Sequence, residues 1–280
     1  MEIIDPAVLT LESLLRRVQF QVILARKIEL EPADWKFELC SPFWRIYVNE
    51  RDGAFIEYGE KRLFLAAKTI YVIPAWLSFR TGVQWPVIQN YIHFDFTGFP
   101  PSLIARLFAA PIALGANALI ASACREWLQQ LRDDSAPSLP LFAAAGTLVH
   151  AIMTRQLASL QEEQERSCFR WLQESSEIGP ALKCIDQQLR QPPTNRELAT
   201  LCHSSTSHFS RKFHHAVGMP PAQYSRERRI AIAAQMLHEG MHTIDEIAEA
   251  TGFTDRFHFT RVFKAQFGLP PAAYRHARNP

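Results

Sequence analysis

The stretch Thr194-Asn-Arg-Glu197-Leu-Ala recurs 49 residues later as Thr243-Ile-Asp-Glu246-Ile-Ala, which opens a near-repeat that decides the fold of the last third of the chain. Two further blocks recur at an offset of 50 residues: Phe209-Ser-Arg-Lys-Phe213 as Phe259-Thr-Arg-Val-Phe263, and Gly218-Met-Pro-Pro-Ala-Gln-Tyr224 as Gly268-Leu-Pro-Pro-Ala-Ala-Tyr274. A duplicated unit of this length is typical of one supersecondary motif used twice. Each copy has the pattern helix, tight turn, helix, which predicts two helix-turn-helix motifs.

The signals that start and end helices agree between the two copies. The threonine and glutamate that open each copy fit the capping box, in which hydroxyl and carboxylate bind free N–H groups at a helix start. Ser205 and Thr254 are expected to cap the second helices. Gly252 can take the positive φ that a tight turn needs, whereas His203 stands there in the first copy, which must turn by other means. Gly218 and Gly268, each followed by prolines, are expected to end the second helices.

The second helix of each copy has an apolar face and an opposite face that is mostly polar. Phe209 and Phe213 are four residues apart and point the same way, as do Phe259 and Phe263. The opposite face is expected to be available to a partner and carries these side chains: Ser207, Ser210, Arg211, His214, Phe257, Thr260, Arg261 and Lys264. An arginine at such a place either binds a guanine edge through two parallel donors or contacts a phosphate. A single polar face is often only solvated, but two such helices in tandem favour double-stranded DNA as the partner.

Residues from about Ile178 to Tyr274 resemble the DNA-binding region of the AraC/XylS family of bacterial transcription regulators. The matching signature is Ile247-Ala-Glu-Ala-Thr-Gly-Phe-Thr-Asp-Arg-Phe-His-Phe-Thr-Arg-Val-Phe-Lys-Ala-Gln-Phe-Gly-Leu-Pro-Pro-Ala-Ala-Tyr274. The resemblance implies seven helices in two subdomains joined by a linker helix, with both recognition helices entering successive major grooves of the duplex.

The same resemblance implies base-reading positions at Ser207, Ser210, Arg211, Phe257, Thr260 and Arg261. Contacts with DNA are also expected from His214, Arg256 and Lys264. Phe257 departs from the family pattern, in which polar residues are common at this place. Its ring either contacts a thymine methyl group or packs within the protein.

A breaker-free segment between the two copies fits the linker role. Pro221 to Glu239 precedes Gly240 and carries an apolar edge that includes Ile230 and Leu237. At about 1.5 Å per residue such a helix spans roughly 27 Å, enough to hold two recognition helices near one duplex turn apart. Three arginines lie on this helix, and they either contact phosphate or are solvated: Arg226, Arg228 and Arg229.

Charge and length indicate two different parts. From Ser176 onward there are 13 Lys and Arg against 9 Asp and Glu, whereas the rest of the chain is slightly acidic with 17 against 19. A basic region of this kind is expected to face phosphate. At 280 residues, about two domains are expected. We predict a ligand-sensing β domain at 1–100, a helical region for dimerisation at 101–175 and the DNA-binding domain at 176–280.

The start of the chain and its cysteines favour a cytoplasmic protein. The opening Met-Glu-Ile-Ile-Asp-Pro lacks the basic region and apolar stretch of a signal peptide. Five cysteines without paired spacing indicate reduced thiols. Leu107 to Cys124 is uncharged and long, but its polar and small residues favour one or two packed helices over a membrane span.

The first hundred residues have the pattern of β structure. Short runs rich in Val, Ile, Tyr, Phe and Trp alternate with turn residues, and the clearest predicted strands are Val18–Leu24, Trp35–Leu39, Trp44–Val48, Phe55–Tyr58, Arg62–Leu65, Thr69–Ile73 and Val87–Phe96. About eight such strands suit a small barrel or a double-sheet jelly roll able to enclose one ligand. More loosely than the C-terminal region, Lys61 to Pro74 followed by Tyr91-Ile-His-Phe resembles the cupin-type sensor domain of AraC-like regulators. The fold class predicted is therefore α+β.

Aromatic and polar side chains in the β region form a candidate ligand site. Aromatic faces stack on sugars or ring compounds, and a few polar groups fix the orientation of the ligand. The candidate ligand-binding residues are Trp35, Trp44, Arg45, Tyr47, Glu57, Tyr58, Trp76 and His93. Tryptophans on strands also serve as core, and alternation does not say which face of a strand is inside.

No metal site, cofactor or catalytic site is expected. His93 and Asp95 could begin a metal site, but His93 has no nearby histidine partner as metal-binding cupins require. The chain shows no Gly-rich phosphate loop, nucleophile elbow or zinc-binding histidine pair. Catalysis therefore has no residues to support it.

The stretch from Ser138 to about Gln173 predicts a long helix after a loop at Asp133–Ser138. This helix either covers the β domain or forms the seam of a homodimer. We interpret the whole chain as a ligand-responsive, DNA-binding transcription regulator that senses a small molecule such as a sugar and activates transcription through RNA polymerase. The alternative is a small-molecule-binding or catalytic cupin barrel that its helix-turn-helix module tethers to DNA.

Overall fold

The computed structural model describes residues 18–33, 35–36, 38–40, 43–99, 101–131, 138–174, 176–239, 242–267 and 269–276. The chain packs as two compact units, each described by itself. One comprises Val18–Gly98 with Leu103–Gln164, and the other comprises Phe99–Ser102 with the chain from Glu165 onward. The predicted helix ends at Gly240 and Gly268, and most of the predicted loop at Asp133–Ser138, lie outside the described residues.

The first unit is built on two antiparallel sheets. Its strands are β1 (Gln19–Leu30), β2 (Glu38–Cys40), β3 (Trp44–Asn49), β4 (Ala54–Tyr58), β5 (Lys61–Leu65), β6 (Ile70–Ile73), β7 (Ser78–Val83), β8 (Val87–Thr97) and β9 (Ile112–Ala113). The first sheet has the order β1-β8-β3-β6-β9 and the second has the order β2-β7-β4-β5. The α+β fold class is confirmed. Of the two predicted arrangements, the described strands form the double sheet and not a closed barrel.

Strand β3 shows how alternation builds the core of this unit. All six of its residues are buried, because both faces of the first sheet are covered. Tyr47 lies in the apolar core together with Phe79 and Ile56 of the second sheet. Trp44 points to the opposite face and contacts Phe108, whose ring centroid is 5.0 Å away. The space between the sheets therefore contains the odd-numbered residues of β3.

The sequence pattern did not predict two of the described strands, β7 and β9. β7 carries Ser78, Arg80 and Gly82, which interrupt the β-branched and aromatic pattern, yet it pairs with both β2 and β4. β9 lies within the stretch Leu107–Cys124, where helices were predicted. That prediction is wrong for its first part, because Ile112 and Ala113 pair with Val72 and Tyr71.

The described residues between Pro101 and Glu174 form four helices, α1 (Pro101–Leu107), α2 (Ala118–Gln130), α3 (Leu139–Ala158) and α4 (Glu162–Glu174), and most of α4 belongs to the second unit. The predicted single helix over Ser138–Gln173 is wrong, because the chain breaks between α3 and α4. The Ser159 hydroxyl donates to the Gln156 carbonyl, and the Gln164 side chain accepts from the Gln161 N–H, so polar side chains satisfy the backbone at the break. None of the described helices is long and apolar enough to cross a membrane.

From Ser176 onward, the described residues of the second unit form a 3₁₀ turn at Ser176–Ile178 and seven helices. They are α5 (Gly179–Gln187), α6 (Asn195–Leu201), α7 (Thr206–Val217), α8 (Pro221–Glu239), α9 (Ile244–Ala250), α10 (Arg256–Phe267) and α11 (Pro271–His276). Seven is the number that the family resemblance implied. The linker helix α8 has the predicted bounds, and its predicted apolar edge, including Ile230 and Leu237, is buried.

Candidate nucleic-acid interface

The first helix of each predicted motif starts with a complete capping box. The Thr194 N–H donates to Glu197 Oε2 at 2.7 Å while the Glu197 N–H donates back to the threonine hydroxyl. Thr243 and Glu246 repeat this arrangement at α9. Hydrogen bonds from the threonines lower the pKa of both glutamates, so each cap is ionised at neutral pH.

The turn of the first motif is made by His203, which was not expected from the sequence to take a left-handed conformation. His203 itself takes the left-handed conformation with a φ of 48°, in the place where Gly252 has a φ of 71°. Histidine is one of the few residue types that occur there with some frequency. The two copies therefore turn in the same way with different residues.

The second helices start at equivalent residues, Thr206 and Arg256, which are 50 positions apart. Ser205 caps α7 as predicted, since its hydroxyl accepts from the His208 N–H. The predicted cap Thr254 is wrong. Asp255 takes this role for α10, because its Oδ1 accepts from the N–H groups of Phe257 at 2.8 Å and His258 at 2.7 Å. The extra residue of the second copy lies in its turn.

The phenylalanine pairs hold α7 and α10 in place. Phe209, Phe213, Phe259 and Phe263 are each at most 1% exposed, as predicted. The repeated tyrosines complete each cluster: the Tyr224 ring lies 5.7 Å from Phe213, and the Tyr274 ring lies 5.0 Å from Phe263. The recurrence of the Pro-Pro-Ala-x-Tyr segment thus has a packing reason.

The opposite faces of α7 and α10 are accessible, and we call them the reading faces. The exposed members are Ser207, Arg211, His214, Arg256, Phe257, Arg261 and Lys264, and the half-buried members are Ser210 and Thr260. Each side chain of α7 on this face has its counterpart 50 residues later on α10. Two equivalent surfaces with hydroxyls and basic groups result, and such surfaces suit the edges and phosphates of a DNA duplex.

The second motif also contacts the loop that precedes the first motif, which sequence reasoning missed. A Cβ added to Gly252 would lie 2.4 Å from the Leu189 carbonyl oxygen and 2.7 Å from that of Arg190. The side chain of Arg190 forms an ion pair with Glu249 of α9. The turn of the second motif is therefore seated on the loop that follows α5, and its glycine is required for space as well as for its φ.

Two of the three linker arginines bind within the protein. Arg228 Nε donates to Asp186 Oδ1 at 2.9 Å. Arg229 Nη1 donates to the Gly252 carbonyl at 3.2 Å, and its guanidinium lies 4.4 Å from the Phe253 ring centroid. Desolvation, and to a smaller extent the charge of Arg226, lowers the pKa of Arg229. Arg228 thus connects the linker helix to α5 and Arg229 connects it to the turn of the second motif, whereas Arg226 is exposed.

The candidate ligand residues of the first unit do not all lie in one place: some lie between the two sheets and others lie elsewhere. Arg45 and His93 are paired across β3 and β8 and are almost fully buried. The guanidinium carbon of Arg45 lies 4.6 Å from the Phe43 ring centroid and 5.3 Å from that of Phe79, so Arg45 faces the second sheet. The His93 ring lies 4.7 Å from Phe43.

Other candidates join this interior or lie away from it. The Trp35 and Tyr47 rings meet at 6.5 Å in the same apolar core, against which Tyr58 packs. Glu57, by contrast, binds the exposed Arg62 at 2.5 Å. Trp76 is half-buried at the β6–β7 corner, with a φ of 65° and a carbonyl that accepts from Cys40 Sγ.

All five cysteines are free thiols. Within the described ranges no three His, Cys, Asp or Glu side chains are grouped as metal ligands would be.

Two capped helix pairs, joined by a linker helix whose apolar edge is buried, define a double helix-turn-helix domain. The family "Helix-turn-helix domain" matches residues 198–277. The C-terminal region thus carries a helix-turn-helix domain, and the predicted resemblance of this region to AraC/XylS transcription regulators is confirmed. No curated protein matches the chain.

Several solved structures resemble the chain. ToxT from Vibrio cholerae is 11% identical and has a similar fold, with a TM-score of 0.55 over 93% of this chain and 99% of that chain. Other structures of ToxT are described as bound to an unsaturated fatty acid and to (E)-4-(8-methylnaphthalen-1-yl)but-3-enoic acid. A transcriptional regulator from Chromobacterium violaceum with an AraC-type DNA-binding domain is 24% identical, with a TM-score of 0.35 over 36% of this chain and 91% of that chain.

Proposed function

We propose that this chain is a ligand-responsive regulator of transcription that binds specific double-stranded DNA sequences through α7 and α10. The observation that carries the proposal is the pair of reading faces. Each is accessible, each lies opposite a buried phenylalanine pair, and every residue of the α7 face has a counterpart on α10 at an offset of 50. In this function Arg211 and Arg261 read base edges, and the surrounding hydroxyl and basic groups position the helices in successive major grooves.

Alanine at Arg211 or Arg261 is expected to weaken binding to a specific duplex by about 1–3 kcal/mol, because each guanidinium would lose a bidentate contact with a base. Fluorescence anisotropy with a specific and a random duplex measures the change. Circular dichroism should stay unchanged, since both side chains are exposed. Arg62→Ala, in an exposed position on β5, is the matched control and should leave DNA binding intact. Equal losses on both duplexes would reduce the two arginines to phosphate contacts.

The proposed effector binds between the two sheets of the first unit. Arg45 and His93 place basic groups next to each other among aromatic rings, away from water. A carboxylate is the group that a guanidinium binds with two parallel hydrogen bonds, and the aromatic surroundings suit an apolar body. We therefore propose an amphipathic carboxylic acid as the effector. The two ligands named for ToxT have this chemistry.

A sugar is the second candidate effector, since aromatic faces also stack on sugars. The buried amides that would bind its hydroxyls are engaged with one another and with the backbone: Gln89 donates to Asn49, and Asn49 donates to the Leu65 carbonyl. This arrangement favours the acid over the sugar. A catalytic β domain tethered to DNA stays the alternative from another class, and turnover screening together with metal analysis separates it from a sensor.

Arg45→Met is expected to lower affinity for an unsaturated fatty acid such as oleate at least tenfold, because a charge-assisted hydrogen bond contributes about 1.5–3 kcal/mol. Methionine keeps an apolar side chain of similar length in the core, in the place where the Arg45 side chain packs against Phe43 and Phe79. Thermal shift and titration of full-length protein with oleate and with free monosaccharides give the result. Arg62→Met is the exposed control. Unchanged oleate affinity in Arg45→Met, or a response to monosaccharides alone, would contradict the proposed site.

We further propose that the chain acts in the cytoplasm as a homodimer and activates transcription through RNA polymerase. Association would cover two large apolar side chains that the described central helices expose, Leu119 at 66% and Leu139 at 89%. Sedimentation of the full-length protein and transcription in vitro with purified polymerase test the two parts separately.

A further inference from the structure

Phe257 presents a large apolar side chain to solvent on the reading face of α10. It is 78% exposed, whereas Phe259 and Phe263 on the same helix are fully buried. Thr260 and Arg261 are three and four residues further along and share its side of the helix. Of the two roles open to it from the sequence, packing within the protein is wrong, because the ring is accessible in the described structure.

The backbone of Phe257 is held firmly while its ring points outward. Asp255 Oδ1 accepts from the Phe257 N–H at 2.8 Å, which fixes the first turn of α10. The neighbouring Arg256 is tied to Asp245, with 3.4 Å between Nη1 and Oδ2, and its guanidinium lies 5.8 Å from the phenyl centroid. The ring is thus presented at a defined place beside Arg261.

The equivalent position of α7 shows that the fold does not demand an aromatic residue here. Ser207 stands there and is exposed. A hydroxyl can bind polar base edges of several kinds, whereas a phenyl ring leaves any base donor or acceptor beneath it unsatisfied. The two reading faces therefore differ in the base edge that they accept at this position.

Only one feature of the major-groove edges is apolar, the C5-methyl group of thymine, and 5-methylcytosine presents the same group. We propose that Phe257 selects a 5-methylpyrimidine, thymine in ordinary DNA, in the half of the site that α10 binds. This inference rests on the proposed function, since it requires α10 to lie in the major groove. It adds the chemical identity of one base and an asymmetry between the two halves of the site.

The test uses duplexes that full-length protein selects from a random pool, in which each thymine is replaced singly by deoxyuridine. This change removes one methyl group and keeps every hydrogen bond. One thymine in the half bound by α10 is expected to lose about fourfold in affinity on this change, as the removal of one methyl contact implies. At the same place 5-methylcytosine should bind better than cytosine.

Phe257→Ser, which copies the side chain of Ser207, should bind the thymine and deoxyuridine duplexes equally. Phe257→Leu, which keeps an apolar side chain, should retain part of the preference. The replacements in the half bound by α7 are the internal control and should show no dependence on residue 257.

Three results would overturn the inference. The first is a selected motif in which no thymine of the α10 half responds to deoxyuridine. The second is a thymine response that persists in Phe257→Ser, which would assign the contact with the methyl group to another residue. The third is the absence of any selected motif, which would overturn the proposed function itself. The first two leave sequence-specific binding intact and are thereby distinguishable from the third.

Discussion

Replacing Phe263 by alanine is expected to lower the free energy of unfolding of the helix-turn-helix domain by about 3–5 kcal/mol, the usual cost of truncating a buried phenylalanine. The Phe263 ring is fully buried and lies 5.4 Å from Phe259, 4.5 Å from Phe267 and 5.0 Å from Tyr274. Its removal leaves a cavity lined by rings that a rigid helix cannot close. DNA binding should be lost together with helicity in thermal unfolding followed by circular dichroism.

Phe257→Ala on the same helix is the matched control for stability. Its ring is exposed, so the free energy of unfolding should change by no more than about 0.5 kcal/mol. A Phe263→Ala protein that stays as stable as the parent but fails to bind DNA would show that the faces of α10 have been assigned the wrong way round.

Gly252→Ala is expected to destabilise the same domain by about 2–5 kcal/mol. Two costs add: a left-handed backbone for a residue with a side chain, and the contact of the new Cβ with the carbonyl oxygens of Leu189 and Arg190. The loop after α5 and the turn before α10 must separate to relieve that contact. Hydrogen exchange should therefore rise in both segments together.

Gly59→Ala separates the two costs. Gly59 also has a positive φ, 54°, but nothing lies within 4 Å of the place that the alanine Cβ would occupy. This variant should lose only the free energy of unfolding that the left-handed backbone costs, about 1–2 kcal/mol. A Gly252→Ala effect no larger than that of Gly59→Ala would mean that the carbonyls of the loop move away at little cost.

The C-terminal helices could be predicted closely because their signals are local. Capping boxes, glycines and prolines act within a few residues, and the repetition of these signals fixed the linker helix at Pro221–Glu239. The turn at His203 could not be predicted, because the surrounding structure stabilises the left-handed conformation of this histidine and no local sequence pattern indicates it. The contact between Gly252 and the Leu189 carbonyl joins residues far apart in the chain, so local sequence signals could not predict it either.

Alternation along a strand did not suffice to tell which residues of the sheets are buried in the core. Alternation on β3 separates Trp44 from Arg45, yet both are fully buried because each face of the sheet is covered. The sequence therefore offered both as ligand residues, while the structure turns Trp44 toward Phe108 and Arg45 toward Phe79. A charged residue on a strand is usually read as exposed, so the burial of Arg45 depended on the pairing of strands distant in sequence.

Selection of binding sites from a random duplex pool by the full-length protein tests the central claim most directly, that α7 and α10 read DNA as a pair. We expect a motif with two elements about one helical turn, 10–10.5 base pairs, apart. Arg211→Ala should abolish sequence preference in one element and Arg261→Ala in the other. Recovery of no motif, or of a single element that neither substitution alters, would show that α7 and α10 do not read DNA as a pair.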